Sequence, residues 1–405
     1  MVDGKPVDAR ARDRNQVKLL HVAASYLPAV RYGGTIASVH GLCRSLAARG
    51  HDVHVFTTSV NGDADSPVPH GTPVDIDGVK VWYFQSPRFR RLYWAPSMRR
   101  QLRLRVAEFD LVHTHAMYLW PLWAAARSAH AAGVPYVVSP RGMLEKGLIE
   151  QKSALLKAGL IAFIERHRFE RAAAIHVTSA REAEEAATFG FQLRAVREIP
   201  NGADLDPETG TVPGAIAQIV NGPPYVLFLG RINWKKGLDR LLAAFARLDD
   251  ARLVIAGNDD DQYRPALEQR ALQLGLANRV MFTGPVHGAA KAALLTGAQL
   301  LVLPSYSENF GNVVLEAMAA GRPVVVTPEV GLAPVVTSTG SGLVAAGGPE
   351  SLSRAMATLL GNPALRLEMG RRGQQAVGER FSWPAVAAEM ESLYESVVTR
   401  PRARA

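Results

Sequence analysis

Short apolar, β-branched runs alternate with helix-spaced stretches along this chain, and that rhythm limits its fold more than any other feature. It is the pattern of parallel strands joined by crossover helices. In the first half, residues 18–23, 52–57, 79–84, 111–113, 136–139 and 174–177 read as strands, and 36–49 as a helix stopped at Gly50. The rhythm restarts at 225–230 and continues through 253–256, 280–283, 300–303 and 323–327. Between the two series lie Pro200-Asn201-Gly202-Ala203-Asp204-Leu205-Asp206-Pro207 and the Gly/Pro/Ala-rich 208–224, a density of turn formers that reads as a hinge. The expected fold is α/β, with two Rossmann-like domains facing each other across a cleft. Its parts would be a loose leader over 1–16, a first domain over 17–205, a second over 206–380, and a last helical run within 381–405 packing back across the hinge.

Composition narrows the function classes. At 405 residues there is material for two cores, and 48% hydrophobic against 20% charged content is globular rather than disordered. The lone Cys43 excludes a disulfide framework and a multi-cysteine metal site, and suits a reducing cytoplasm. No apolar run approaches the roughly 18 residues of a spanning helix, and the polar leader lacks the apolar core of a secretory signal. The net charge of +9 is uneven: residues 1–205 hold 27 Lys and Arg against 19 Asp and Glu, whereas 206–405 hold 19 against 18. The first half therefore suits something anionic, with nucleic acid, acidic lipid and phosphorylated substrates as candidates.

The strongest chemical signal is Glu308-Asn309-Phe310-Gly311-Asn312-Val313-Val314-Leu315-Glu316. An apolar strand closed by Pro304 precedes it, and a helical run stopped by Gly321 contains its end. Glu308 thus falls at the carboxyl end of a strand, Gly311 at a helix entrance and Glu316 about one turn in. Ligands of open α/β sheets bind at such carboxyl ends, and the amides of Asn309 to Asn312 have the shape of a backbone nest. A loop acid and a surface helix acid are the plain alternative; the combination favours one ligand held at two points.

Further loops share that end of the sheets. Gly230-Arg231-Ile232-Asn233-Trp234-Lys235-Lys236-Gly237 follows the second half's first strand, and its Arg231 and Lys236 suit a pyrophosphate. Tyr32-Gly33-Gly34-Thr35 opens the first helix, as a phosphate or sugar contact or as a plain turn. It is not the G-x-G-x-x-G fingerprint, which argues against a nicotinamide dehydrogenase. His113-Thr114-His115 ends another strand, with His115 expected further toward the cleft and His113 packed in the sheet; with no carboxylate or cysteine at ligand spacing, a metal is not expected. Residues 86–105 set seven arginines among Phe89, Leu92, Tyr93 and Trp94, a composition suited to peripheral contact with an anionic membrane or to a solvated helix face.

Taken together, the E-x7-E segment, Gly230-Arg231 with Lys236-Gly237, Pro200-Asn201-Gly202, Gly33-Gly34 and His115 resemble the retaining GT-B glycosyltransferases of family four (glycosyl transferases group 1). The resemblance runs from about Lys18 to the final helix. It implies that Arg231 and Lys236 bind the donor diphosphate as it leaves and that Glu316 accepts from ribose hydroxyls. It implies too that Glu308 holds the donor sugar, with the amides of Asn309, Phe310, Gly311 and Asn312 on sugar and phosphate. His115 would approach the sugar from the other domain, Gly34 would border the diphosphate, and Arg141, in Ser139-Pro140-Arg141-Gly142-Met143, would contact an anionic acceptor. Neither metal nor cofactor is expected, since two cations take the place of Mg²⁺. The donor would be a UDP-, GDP- or ADP-sugar and the acceptor a saccharide or lipid-linked saccharide, in the cytoplasm or at the inner face of its membrane. Rival readings are a nucleotide-sugar epimerase of the same architecture and, in another class, an anionic-surface or nucleic-acid-binding module. Nucleic acid is disfavoured because the aromatics cluster in one stretch rather than across a sheet face.

Overall fold

The apolar runs form two separate sheets in the computed structural model, which describes residues 16–29, 33–144, 159, 161–249, 251–259 and 261–398. Residues 1–15 of the expected leader, and Tyr32, lie outside the described residues. The first sheet and its hairpin comprise β1 (Lys18–Val22), β2 (Asp52–Thr58), β3 (Val60–Asn61), β4 (Ala64–Asp65), β5 (Val74–Ile76), β6 (Val79–Phe84), β7 (Leu111–His115), β8 (Tyr136–Ser139), β9 (Ala174–Val177) and β10 (Val196–Glu198). Eight of these run in the order β10-β9-β8-β7-β1-β2-β6-β5, while β3 and β4 pair only with each other. The second sheet comprises β11 (Tyr225–Leu229), β12 (Arg252–Ala256), β13 (Val280–Gly284), β14 (Leu300–Leu303), β15 (Val324–Val326) and β16 (Gly342–Val344), in the order β13-β12-β11-β14-β15-β16. Both are parallel apart from the antiparallel β5–β6 edge. Helices cover both faces, so central strands such as β11 and β14 are buried throughout. That is why they read as continuous apolar runs rather than alternating ones.

The differences from the expected elements are local. β7 continues to His115 because that residue still pairs with Ser139 on β8. β10 was invisible in the sequence because all three residues are exposed and carry no apolar pattern. The first helix spans Gly34–Ala48 and buries Ile36, Val39, Leu42, Cys43 and Leu46 on one stripe. The 86–105 stretch is not one helix: Phe89 and Tyr93 adopt left-handed conformations around a short turn. A helix begins only at Pro96, whose missing amide suits a first helical position.

Strand order places the functional crevices. In the first sheet the chain leaves β1 for β2 on one side and returns to β7 on the other; in the second, β12 and β14 flank β11 in the same way. Each reversal opens a crevice at the carboxyl ends of the paired strands, and the two crevices meet. The last helix, Trp383–Val397, returns to the first sheet and buries Trp383, Val386, Ala387, Met390, Leu393 and Tyr394 in the same cluster as Val39 and Leu42. Where it crosses, the Ala203 amide donates to Phe381 O at 2.8 Å, so the outgoing and returning segments are tied side by side. A Cβ on Gly41 or Gly202 would overlap the Trp383 indole. Trp383→Ala is expected to cost about 3 kcal/mol, read as a lower urea midpoint; an unchanged midpoint would show that this crossing carries no stability.

Candidate active site

β14 ends at Leu303, and the loop that follows from Pro304 is fastened before it reaches Glu308. Arg240, in the helix Leu238–Phe245, donates from Nε to Pro304 O at 2.6 Å and from Nη2 to Ser305 O, and lies over the Tyr306 ring at 4.1 Å. The Tyr306 amide donates to Lys235 O at 2.7 Å, joining this loop to the one after β11. Gly237, at φ 64°, permits the junction, because a Cβ there would collide with Pro304 O. The Glu308 backbone is held on its other side too: its amide donates to Glu329 O at 3.1 Å, and its carbonyl accepts from Gly331 N at 2.9 Å. So anchored, the Glu308 carboxylate meets the Lys236 ammonium in an ion pair. Arg231, exposed on the same loop as Lys236, lines the same cleft.

From Glu308 the chain turns into the helix Asn312–Ala319. Gly311 takes φ 96°, a left-handed turn at the helix start, and Asn309 to Val313 line the cleft there, where a helix's first amides have no partner within the helix. Phe310 is buried in the second core, leaving only its backbone for a ligand. The Asn309 side chain donates to Thr178 Oγ1 at 3.0 Å, and Asn309 O accepts from Ser179 Oγ at 3.0 Å, both on the opposite domain. Asn312 spans the cleft: its Nδ2 donates to Gly34 O at 3.2 Å, and its Oδ1 accepts from Asn201 Nδ2 at 2.8 Å. Glu316, one turn further, pairs with Lys291 at 2.9 Å.

The first domain contributes Arg141, held at φ 55°, a conformation uncommon outside glycine. Its guanidinium donates to Asn201 Oδ1 and stands 3.3 Å from His115 Nδ1. Burial draws its pKa down to about 10, with Glu182 opposing, so it stays charged at neutral pH. His115 does not reach into the cleft as the sequence suggested. It is 1% exposed, with Arg141 on one ring nitrogen and His21 Nδ1 at 3.0 Å from the other. The loop after β8 supplies the covering residue, which strand-end position alone cannot show. His113 is enclosed as well, against the Tyr394 hydroxyl at 2.7 Å.

His21, His113 and His115 bring ligand-capable atoms within 4.8 Å of one another. Three imidazoles can in principle ligate a metal, but a dication there would confront the Arg141 guanidinium, which stands 3.3 Å from His115 Nδ1. Burial, then Arg141, holds the His115 pKa well below the ordinary histidine range, and His21 at about 3 for the same two reasons. His176 is likewise drawn to about 3, chiefly by burial.

The cleft, about 360 Å³, gathers Arg141, Arg231, Lys236 and Lys291 against Glu308 and Glu316, with Gly33, Gly34 and Asn309 to Asn312 on its walls. A larger groove of about 900 Å³ lies elsewhere, lined by Arg99, Arg103, Trp123, Arg127 and Phe163. Among the described residues it holds no acid–base pair like those of the cleft, and its lining does not include the residues of the crevices at the strand ends. Sequence reasoning passed over Lys291, Arg240 and His21. Lys291 had left a signal: it is the sole Lys, Arg, Asp or Glu between Arg279 and Glu308.

The family model for glycosyl transferases group 1 matches residues 215–376, and that for Glycosyltransferase Family 4 matches 32–207. The chain is 30% identical over 404 residues to the D-inositol 3-phosphate glycosyltransferase of Xylanimonas cellulosilytica, covering 92% of this chain and 94% of that one. The chain belongs to the group 1 glycosyltransferases of family four. Solved structures agree on the GT-B fold. Sucrose-phosphate synthase from Thermosynechococcus elongatus matches with TM-score 0.74 at 24% identity, over 95% of this glycosyltransferase and 99% of that chain. HepE of Anabaena, solved with UDP and glucose, matches with TM-score 0.72 at 19% identity, over 94% and 100%.

The enclosed histidines make the stability of this glycosyltransferase pH-dependent. Their pKa values are depressed in the fold, so the unfolded chain binds more protons below its ordinary histidine value of 6.5. Their contribution is whole above pH 6.5 and falls away as pH drops toward about 3, by about 1.4 kcal/mol per unit for each group. Urea midpoints measured from pH 7 to about pH 5 are expected to fall, and His176→Gln to flatten the slope. A parallel slope in the variant would contradict the assignment.

Proposed function

We propose that this protein is a retaining, metal-independent hexosyltransferase that moves a sugar from a nucleoside-diphosphate sugar to a saccharide or lipid-linked acceptor, in polysaccharide or glycolipid biosynthesis. One observation carries the reading: Lys236 and Glu308, from the loops after two neighbouring strands, meet at the switch point of the second sheet. Arg231 and Arg141 line the same cleft. Four cations there against two carboxylates leave a positive surplus that suits a diphosphate.

Residues 206–380 hold the donor in this reading, residues 17–205 the acceptor, and the segment from 381 ties the two together. Arg231 and Lys236 take the diphosphate, and the amides from Asn309 to Asn312 take its oxygens and those of the sugar. Glu308, released from Lys236 as phosphate arrives, accepts from the sugar's hydroxyls. Glu316 accepts from the ribose, and Gly34 borders the diphosphate. Arg141 receives an anionic acceptor, and His115 acts by holding Arg141. In the chemical step the acceptor oxygen bonds to the anomeric carbon on the face from which the phosphate departs. The bond from that carbon to the phosphate oxygen breaks, and the leaving diphosphate accepts the acceptor's proton. The two cations stabilise the charge that develops on it. A covalent glycosyl-enzyme trapped on Glu308 or another carboxylate would overturn this front-side course.

The basic aromatic stretch supports contact with an anionic membrane: Phe89 and Leu92 are exposed, and Arg99 and Arg103 line the larger groove. No described helix is long and apolar enough to cross a membrane, so such contact would be peripheral.

Thermal-shift measurements with UDP, GDP, ADP and NAD test the donor class, UDP first because the Anabaena neighbour holds it. Stabilisation by a nucleoside diphosphate is expected; stabilisation by NAD or oligonucleotides alone would sink the reading. Donor consumed without any acceptor would indicate an epimerase. Lys236→Ala is expected to lower kcat about 10²–10³-fold, and Glu316→Ala to act mainly on donor KM. Unchanged kinetics in both would remove this cleft from the reaction.

A further inference from the structure

The helix Gly288–Gly297 carries a cation into the cleft that the reaction described above does not use. Lys291 ends that helix's first turn, where the helix dipole disfavours positive charge, and its neighbours on the helix are uncharged. Local helix formation therefore gives no reason for a lysine there. Its surroundings do: Nζ stands 2.9 Å from Glu316 Oε1, with the two side chains 29% and 27% exposed. Burial pulls the ammonium toward neutrality, but Glu316, with Glu208 and Asp204 of the hinge segment, leaves its pKa above the ordinary lysine value. Lys291 is charged, and its partner is the carboxylate assigned above to the ribose.

Two physical consequences follow. A glutamate on an open helix face samples several rotamers, and an ammonium on one oxygen selects among them. The second oxygen, and the lone pairs left on the first, then present a fixed acceptor edge to the cleft. Charge is the other consequence. An unpaired Glu316 would repel an arriving diphosphate, whereas the pair is neutral and leaves Arg141, Arg231 and Lys236 as a surplus over Glu308.

We propose that Lys291 is a positioning residue: it orients Glu316 so that the carboxylate accepts from both vicinal hydroxyls of the donor's ribose, and thereby sets a preference for ribonucleotide over 2′-deoxyribonucleotide donors. This rests on the nucleotide-sugar reading of the cleft. A lysine acting on phosphate directly would instead favour both nucleotide forms equally, since they differ only at the 2′ position.

Isothermal titration of the full chain separates these outcomes, using the diphosphate that stabilises the wild type (UDP, GDP or ADP) and its 2′-deoxy form. The wild type is expected to bind the ribo form about tenfold more tightly. Lys291→Gln loses most of that ratio while its affinity for the deoxy form stays within about twofold, and Lys291→Arg restores the ratio. Glu316→Gln, which keeps the side chain's shape, also lowers the ratio and provides a second route should Lys291→Gln fold poorly. A ratio unchanged in Lys291→Gln overturns the proposal, whether or not both affinities fall together. So does a wild type that binds the diphosphate without preferring ribose, which leaves the donor reading intact. A wild type that binds none of the three diphosphates instead overturns the donor reading and this proposal with it.

Discussion

A carboxylate partly withdrawn from water loses hydration that a neighbouring cation offsets, and both acids of the cleft have such a neighbour. Glu308 is partnered by Lys236 and Glu316 by Lys291. The first pair joins the loops after β11 and β14, and keeping it aligned calls on Gly237, Arg240 and the backbone bonds that flank Glu308. These contacts hold the loops to one another without consuming the side chains that face the cleft. In the proposed reaction, ligand oxygens and hydroxyls would exchange for the internal pairing with little rearrangement of the backbone, the condition for preorganised electrostatics.

The second constraint lies between the domains. A polar relay runs from His21 through His115, Arg141, Asn201 and Asn312 to the Gly34 carbonyl. Ser179 and Thr178 reach Asn309 beside it. Asn309 and Asn312 carry two roles, since both line the cleft and bind the opposite domain. Distance across the cleft and orientation of the helix start at Gly311 are therefore coupled. The crossing at Ala203, Phe381 and Trp383 sits where the hinge segment leaves the first sheet, and gives the domains a packed joint rather than a loose tether.

Much of this was legible in the sequence, and the reason is periodicity. Strands buried on both faces must be apolar throughout, so β11, β12 and β14 announce themselves, and the loops after them carry Arg231, Lys236 and Glu308. What stayed hidden was whatever periodicity does not mark: β10, whose side chains all meet solvent, and the break at Phe89 and Tyr93 within the basic stretch. His115 was assigned to the cleft from its place at a strand end, but the cover that Arg141 provides comes from a neighbouring strand's loop.

By itself, then, the sequence determined the α/β class, the two Rossmann-like domains and the loops that line the cleft, because strand-forming patterns and chain order are local properties. Only the tertiary structure decided which charges meet. Lys236 and Glu308 are separated by 72 positions, and Lys291 and Glu316 by 25. No residue-level signal pairs them: strand order brings the carboxyl ends of β11 and β14, and so Lys236 and Glu308, together, and the contact of helix Gly288–Gly297 with helix Asn312–Ala319 brings Lys291 to Glu316. The enclosure of His115 and the bridge from Asn312 to Gly34 likewise depend on how the sheets and their loops pack, a contact of distant segments that no single stretch encodes.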